Sequence, residues 1–350
     1  MATHEELANL YAKQMSVSLA TAKGDIDSFF DSFEKSQLQL PTEPNYESFI
    51  TPISPAKKLI ANKALLPDIF LQIDSQAFGI AIESIVLKRE FLRIFDSFIP
   101  LAKDSKPKSI ITCCASKYPG NEQFYIYIDY VCVSKNVPLK GVIPNLFGIL
   151  FETSYSAQAK LNNPPLMFHS AALSATTGQT LLFPAEAGSG KSTLAAVLST
   201  QKWRCHTDEL AIIDTATQRL IPHPFPICIK GGSVPFLSGY YPTLKSTMQH
   251  HRLDEKWVRY MPIKKSPVEI EENITINAIV FPTYQQNKPC LFESIDKQNA
   301  LKILLQCGSS GRPLNDDDIR SIVTLVEQLP CYSLQYSDIN DAMNALNSIA

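Results

Sequence analysis

Residues 179–200 read QTLLFPAEAGSGKSTLAAVLST. The apolar run QTLLF predicts a buried strand and STLAAVLST predicts a helix, with a glycine loop between them. Strand, loop, helix is the context that a phosphate loop requires. Within the run from Ala185 to Thr193, GSGKST sets successive backbone N–H groups in a concave turn at a helix N-terminus. Donors and helix dipole would then both face a polyphosphate. The expected phosphate-contacting residues are Ala187, Gly188, Ser189, Gly190, Lys191, Ser192 and Thr193. Lys191 would reach the β and γ phosphates, and the Ser192 hydroxyl would coordinate Mg2+. The usual pattern, GxxxxGK[ST], opens with glycine where this chain has Ala185.

A phosphate loop needs a second, acidic element to handle the metal and the attacking group. Asp208 and Glu209 stand one predicted helix beyond Lys191, ahead of the strand-like LAIID. One carboxylate can hold Mg2+, usually through water, while the other accepts a hydroxyl proton. An arbitrary Asp-Glu pair is by default a solvated turn; its place after the Lys191 helix favours chemistry. Upstream, His169 lies in the strand-like FHSAAL, where an isolated histidine is more often a satisfied core residue than a catalytic one. His206 and His223 carry less signal still. Lys230, beside Gly231 and Gly232, could address an anion. Arg252, Arg259 and Arg312 are alternatives for a guanidinium that stabilises a transferring phosphoryl group, and spacing does not rank them.

Around this centre the chain reads as two domains. Residues 166–350 continue with a Pro-rich segment, IPHPFPICIK, a strand, INAIVF, and helical stretches at Gln298 to Cys307 and Asp316 to Leu329. Residues 1–165 read as an α+β domain without a chemical motif, expected to recognise the substrate or regulate access. Two amphipathic helices are predicted between Glu5 and Leu38 and a Pro-punctuated connection from Pro41 to Pro55. DIFLQIDSQAFGIAIES predicts a hairpin and IVLKREFLRIFDSFI a helix. SIITCCAS and QFYIYIDYVCV predict two strands about a turn at Pro119 and Gly120. LNNPPLM, residues 161 to 167, is the predicted linker.

Composition narrows the function classes. Thirty-two Lys plus Arg against 34 Asp plus Glu give a net charge of −2, which disfavours a polybasic nucleic-acid or membrane binder. Val142 to Phe151, the best apolar run, is interrupted by Pro144 and Asn145 and is too short to span a bilayer. MATHEELANLYAKQ has no signal-peptide pattern, so the expected localisation is cytoplasmic. The eight cysteines are scattered without ligand-like spacing, predicting reduced thiols. Only 13 residues of 350 are glycine, about half the usual abundance of about 7%. Where glycines cluster, at 188/190 and 231/232, the backbone is expected to need them.

FHSAAL, LLFPAEAGSGKSTLAAVL, the Asp208-Glu209 pair and PHPFPICIK together resemble the HPr kinase/phosphorylase family and its looser relatives. Those relatives include HPr-kinase-like proteins of peptide biosynthesis, notably lasso-peptide kinases. The resemblance covers about Phe168 to Leu346, with LPCYSLQYSDINDAMNAL matching the closing strand and helix. It implies an α/β (α+β) protein whose C-terminal domain has a P-loop in a phosphoenolpyruvate-carboxykinase-like fold with a mixed sheet. It also implies transfer of the ATP γ-phosphate to a serine hydroxyl with Mg2+. By the same resemblance His169 lies near the transferring phosphate, Lys191 and Ser192 are the loop's lysine and serine, Asp208 is the base and Glu209 the metal partner. The pair is Asp-Glu where the bacterial sugar-regulation enzymes have Asp-Asp, so neither HPr as substrate nor phosphorylase activity is expected. The implied partner is a peptide or protein with a hydroxyl acceptor, and a homo-oligomer is compatible with the pattern.

Three other readings compete: a kinase of a small hydroxyl metabolite, a nucleotide-gated binding module without transfer, and an ABC-type ATPase. The last is suggested by Leu237-Ser238-Gly239, but Tyr240-Tyr241-Pro242 follows where Gly-Gln and a helix belong.

Overall fold

The computed structural model describes residues 9, 12, 18–24, 65–73, 76–99, 107–116, 122–159, 165–186, 188–263, 274–307 and 314–350. In chain order its strands are β1 (Ile69–Ile73), β2 (Gln76–Ile82), β3 (Ser109–Ala115), β4 (Gln123–Ile128), β5 (Val131–Pro138), β6 (Leu166–Ser174), β7 (Thr180–Pro184) and β8 (Arg204–Thr207). They continue with β9 (Leu210–Asp214), β10 (Arg219–Ile221), β11 (Ile227–Lys230), β12 (His250–His251), β13 (Trp257–Met261), β14 (Ala278–Tyr284), β15 (Leu291–Ser294) and β16 (Cys331–Tyr336). From Ile85 onward the α-helices among the described residues are α1 (Ile85–Phe95), α2 (Leu139–Ala159), α3 (Lys191–Thr200), α4 (Val234–Leu237), α5 (Lys297–Gln306), α6 (Asp316–Gln328) and α7 (Ile339–Asn347). The protein is therefore of mixed α and β composition with mixed sheets. No helix among the described residues is long and apolar enough to cross a membrane.

Two compact units divide the chain. One comprises Asn45–Asn162 and Pro224–Ile270; the other comprises Met1–Pro44, Asn163–His223 and Glu271–Ala350. The change at 162/163 falls in the predicted linker, of which residues 161–164 lie outside the described residues. The segment Pro224–Ile270, read from sequence as part of one domain at 166–350, packs with the first unit. Its aromatic side chains explain this. Phe225 meets Phe95 edge-on at 6.4 Å, Phe147 at 5.2 Å and Phe151 at 5.1 Å, and Tyr260 stacks on Phe147 at 5.0 Å. Such contacts add to the burial of large apolar surface.

That first unit holds a five-stranded sheet in the order β1-β2-β3-β4-β5 and a three-stranded sheet, β11-β13-β12. The predicted hairpin is present, with Ile69 paired to Ile80. QFYIYIDYVCV is two strands where one was expected, because Asp129 and Tyr130 both take positive φ (45° and 70°) and reverse the chain in a two-residue turn. The turn predicted at Pro119 and Gly120 lies outside the described residues, as does the connection from Pro41 to Pro55. Of the two predicted N-terminal helices, residues 19–24 are helical and most of the rest is not described. α2 contains Pro144 within its span. Gly231 and Gly232 lie in a 3-10 turn without positive φ and with no close contact at the Cβ position of either, contrary to the expectation that the backbone requires them.

The second unit is built on an eight-stranded sheet ordered β10-β9-β6-β7-β14-β16-β15, with β8 also paired to β6. β7, β14 and β16 run parallel, while β6 is antiparallel to β7 and to β9. All five residues of β7 are buried, as expected of a strand in the middle of a sheet. One core cluster joins Leu182, Ile279 and Phe281 of the sheet to Leu301 and Leu304 of α5 and Ile322 and Val326 of α6. α6 starts with Asn315 and Asp318 in a reciprocal capping box and three acidic residues in its first turn, which complement the helix dipole.

Candidate functional site

β6 positions the site, because it lies between the loop strand and the acid pair. On one side Ser170 pairs with Pro184 of β7; on the other His169 pairs with Leu210 of β9 and Ala172 with Thr207 of β8. The Ser170 N–H donates to the Glu209 carbonyl at 3.2 Å, and the Ala185 N–H donates to the His169 carbonyl at 3.3 Å. The loop and Asp208-Glu209, separated in sequence by α3, are thus tied to adjacent residues of one strand.

Ala185 is buried and is not among the residues with positive φ. Its N–H extends the β6–β7 pairing by one residue, so this position carries ordinary strand-like backbone that alanine adopts without strain. The left-handed positions are Gly188 (φ 96°) and Gly190 (φ 88°), where only glycine is free of a steric cost. Gly190 caps α3, and its carbonyl accepts from the Leu194 N–H at 2.9 Å. The loop is held from the far side by the Tyr284 N–H, which donates to the Ser189 carbonyl at 3.0 Å. Ala187 lies outside the described residues.

Lys191 is only 5% exposed, and its ammonium donates to the Ala185 carbonyl at 3.4 Å. Asp208 is 3% exposed. Burial, with the nearby Glu209 charge, pushes the Asp208 carboxyl up to about 8, while Lys191 and the Ser192 hydroxyl pull it down. Lysine, serine and aspartate therefore share one electrostatic neighbourhood. Glu209 is exposed. Two buried polar atoms here have no hydrogen-bond partner, Asp208 Oδ2 and Ser189 Oγ. Unmet buried oxygens are costly, and each is a ready ligand or hydrogen-bond partner for an incoming group.

These residues suit a hard divalent cation shared with a polyphosphate. Ser192, Asp208 and Glu209 offer oxygen donors only, and one of those oxygens is the unpartnered Asp208 Oδ2. Among the described residues no group of three His, Cys, Asp or Glu side chains could hold a metal ion unaided. A cation here would take its remaining ligands from phosphate oxygens and water.

The structure places His169 on β6, partly exposed, with its N–H donating to the Cys307 carbonyl at 2.9 Å. His206 belongs elsewhere: its Nε2 is 2.6 Å from the Ser174 hydroxyl at the other end of β6, and burial with the Arg204 charge lowers it to about 3. His223 is fully buried, its N–H donating to the His206 carbonyl. Lys230 ends strand β11, and Arg252 and Arg259 also belong to the other unit, where Arg252 pairs with Asp254 at 3.1 Å. Arg312 lies outside the described residues.

Sequence reasoning missed three neighbours of the loop. The Tyr336 hydroxyl donates to the Gly190 carbonyl at 3.4 Å, and Tyr284 meets Tyr336 edge-on at 5.8 Å. The buried Cys307 thiol is pushed up to about 11 by burial, while Lys191 lowers it and Glu186 raises it. The only signal for the tyrosines is that each ends a strand-like run, and local sequence does not say which strand lies beside β7. All eight cysteines are free thiols. No protein-family model matches the chain, and no curated protein matches its sequence.

Proposed function

We propose that the unit carrying the loop is an ATP- and Mg2+-dependent kinase of the HPr-kinase-like type, with a phosphoenolpyruvate-carboxykinase-like P-loop fold. It would move the γ-phosphate to a hydroxyl, with serine or threonine of a peptide or protein as the acceptor. One observation carries the reading: Asp208 is a nearly fully buried carboxyl with an unpartnered oxygen, electrostatically coupled to Lys191 and Ser192 at the N-terminus of α3. A buried acid with a raised pKa beside a buried lysine and a glycine turn matches the needs of phosphoryl transfer better than those of structure alone.

In this reading the amides of residues 188–193 and the Lys191 ammonium bind the β and γ phosphates, and α3 directs its positive end at them. When bound, Mg2+ would supply charge neutralisation at the phosphates. Ser192 and Glu209 would hold that ion, and Asp208 Oδ2 would receive the acceptor's hydroxyl proton. The acceptor oxygen forms its bond to the γ-phosphorus as the bond from that phosphorus to the β–γ bridging oxygen breaks, and ADP leaves. His169, on the strand between loop and acids, stands near the transferring group. The other unit is the candidate for acceptor recognition or control of access.

Incubation with γ-labelled ATP, Mg2+ and hydroxyl-bearing peptides tests this. Label on a serine or threonine supports the proposal, and label on a small hydroxyl compound alone redirects it to metabolites. Tight ATP binding without transfer to any acceptor or to water supports a nucleotide-gated module and overturns the kinase.

A further inference from the structure

The site is polarised across the sheet. On the β6 side of the loop strand stand Asp208 and Glu209; on the other side, at the ends of β14 and β16, stand Tyr284 and Tyr336. β7, β14 and β16 are parallel, so the loop after β7 and both tyrosines lie at the same, carboxyl-terminal edge. That edge is where open α/β sheets bind ligands. Tyr336 is 2% exposed and its hydroxyl contacts Gly190, so it supports the loop. Tyr284 differs: its main chain holds Ser189, yet the residue is 48% exposed, with the Tyr336 ring packed edge-on against its own. Tyr284 is thus a half-exposed aromatic residue immediately beside the loop, fixed by a main-chain bond and by its neighbour's ring.

We propose that Tyr284 is the platform on which the nucleobase stacks, so that the nucleotide lies across the loop with its terminal phosphate toward Asp208 and its base over β14. The inference rests on the nucleotide reading of the loop. Its physical basis is that a polyphosphate whose metal-bound end is drawn to the acids must carry its nucleoside toward the opposite flank, and that the described edge there offers a half-exposed aromatic residue. Stacking of a base on an aromatic side chain is tolerant of base identity. The subsite should therefore accept nucleotides that differ in their base.

The test measures affinity of the full chain for ATP and for inorganic tripolyphosphate, each with Mg2+, in the wild type and in Tyr284→Ala, Tyr284→Leu and Tyr284→Phe. All three variants keep the main-chain N–H that holds Ser189. The expected result is ATP affinity about 10-fold weaker in Tyr284→Ala and Tyr284→Leu, near normal in Tyr284→Phe, with tripolyphosphate affinity unchanged throughout. Equal weakening for both ligands makes Tyr284 a support of the loop and overturns the platform. Unchanged ATP affinity in Tyr284→Ala overturns it too. A wild type that binds both ligands equally well keeps the phosphate loop and loses the platform, whereas a wild type that binds neither removes the nucleotide reading and the platform with it.

Discussion

A methyl group placed on Gly190 would lie 2.6 Å from the hydroxyl oxygen of Tyr336, a separation that real Cβ atoms essentially never show. The same residue sits at φ 88°, so two independent constraints demand glycine there. Gly190→Ala should therefore deform the loop and weaken ATP binding at least about 10-fold, since the left-handed backbone alone costs about 1–2 kcal/mol. Adding Tyr336→Phe removes the clashing oxygen and leaves the dihedral cost and the 3.0 Å approach to the Tyr284 Cβ, so the double variant should recover only part of the affinity. Calorimetric titration of both proteins checks this; full recovery would show that the hydroxyl clash was the whole effect.

Lys191→Ala should abolish ATP-dependent transfer, because it removes the buried cation beside Asp208. Asp208→Asn should leave ATP affinity within a few-fold of wild type while eliminating transfer, since the amide keeps the shape and cannot take the proton. Single-turnover assays with labelled ATP separate the two effects. Full transfer by Asp208→Asn would falsify the assignment of the base.

The strand–loop–helix and the acid pair were legible because each is local: QTLLF, GSGKST and LAIID form the elements their patterns predict. Even the Ala185 departure has a simple reason, as the position is strand-like and only Gly188 and Gly190 need the left-handed region. What sequence could not supply was strand order. The placement of β6 between loop and acids, and of β14 and β16 beside the loop, arises from pairings between residues far apart in the chain, such as Ile279 with Leu182. For the same reason Pro224–Ile270 could not be assigned to its unit, because Phe225 finds Phe95 and Phe147 only through tertiary packing.

That packing predicts a stability effect. Phe225 is 3% exposed among four other phenylalanines, so Phe225→Ala should cost about 3–5 kcal/mol. Denaturant unfolding should show the loss, with protease cleavage appearing in Asn45–Asn162 as well as in Pro224–Ile270. Cleavage confined to residues around 225 would contradict their membership of one unit.

Glu90 supplies a pH dependence. Burial alone would raise its carboxyl, but hydrogen bonds from Arg93 at 2.8 Å and His250 at 3.1 Å outweigh that and hold it below its ordinary 4.5. A depressed acid stabilises the fold fully above its unfolded value and loses that contribution as pH falls through its folded value. Glu90→Gln should thus destabilise the protein by about 1–3 kcal/mol at pH 7, with the gap to wild type narrowing below about pH 4.5. Chemical denaturation at pH 7 and pH 3.5 measures it; a gap that stays constant would rule out the ionised form as the stabilising one.

The central claim is that the turn at residues 185–193 grips a nucleotide's phosphates through Lys191. Equilibrium titration of the full chain with ATP and Mg2+, beside the same titration of Lys191→Ala, addresses it most directly. The account predicts saturable one-to-one binding by the wild type and at least about 10-fold weaker binding by the variant, the loss expected for charge-assisted bonds to phosphate. Wild type and Lys191→Ala binding ATP alike, or a wild type that takes up none, would contradict it.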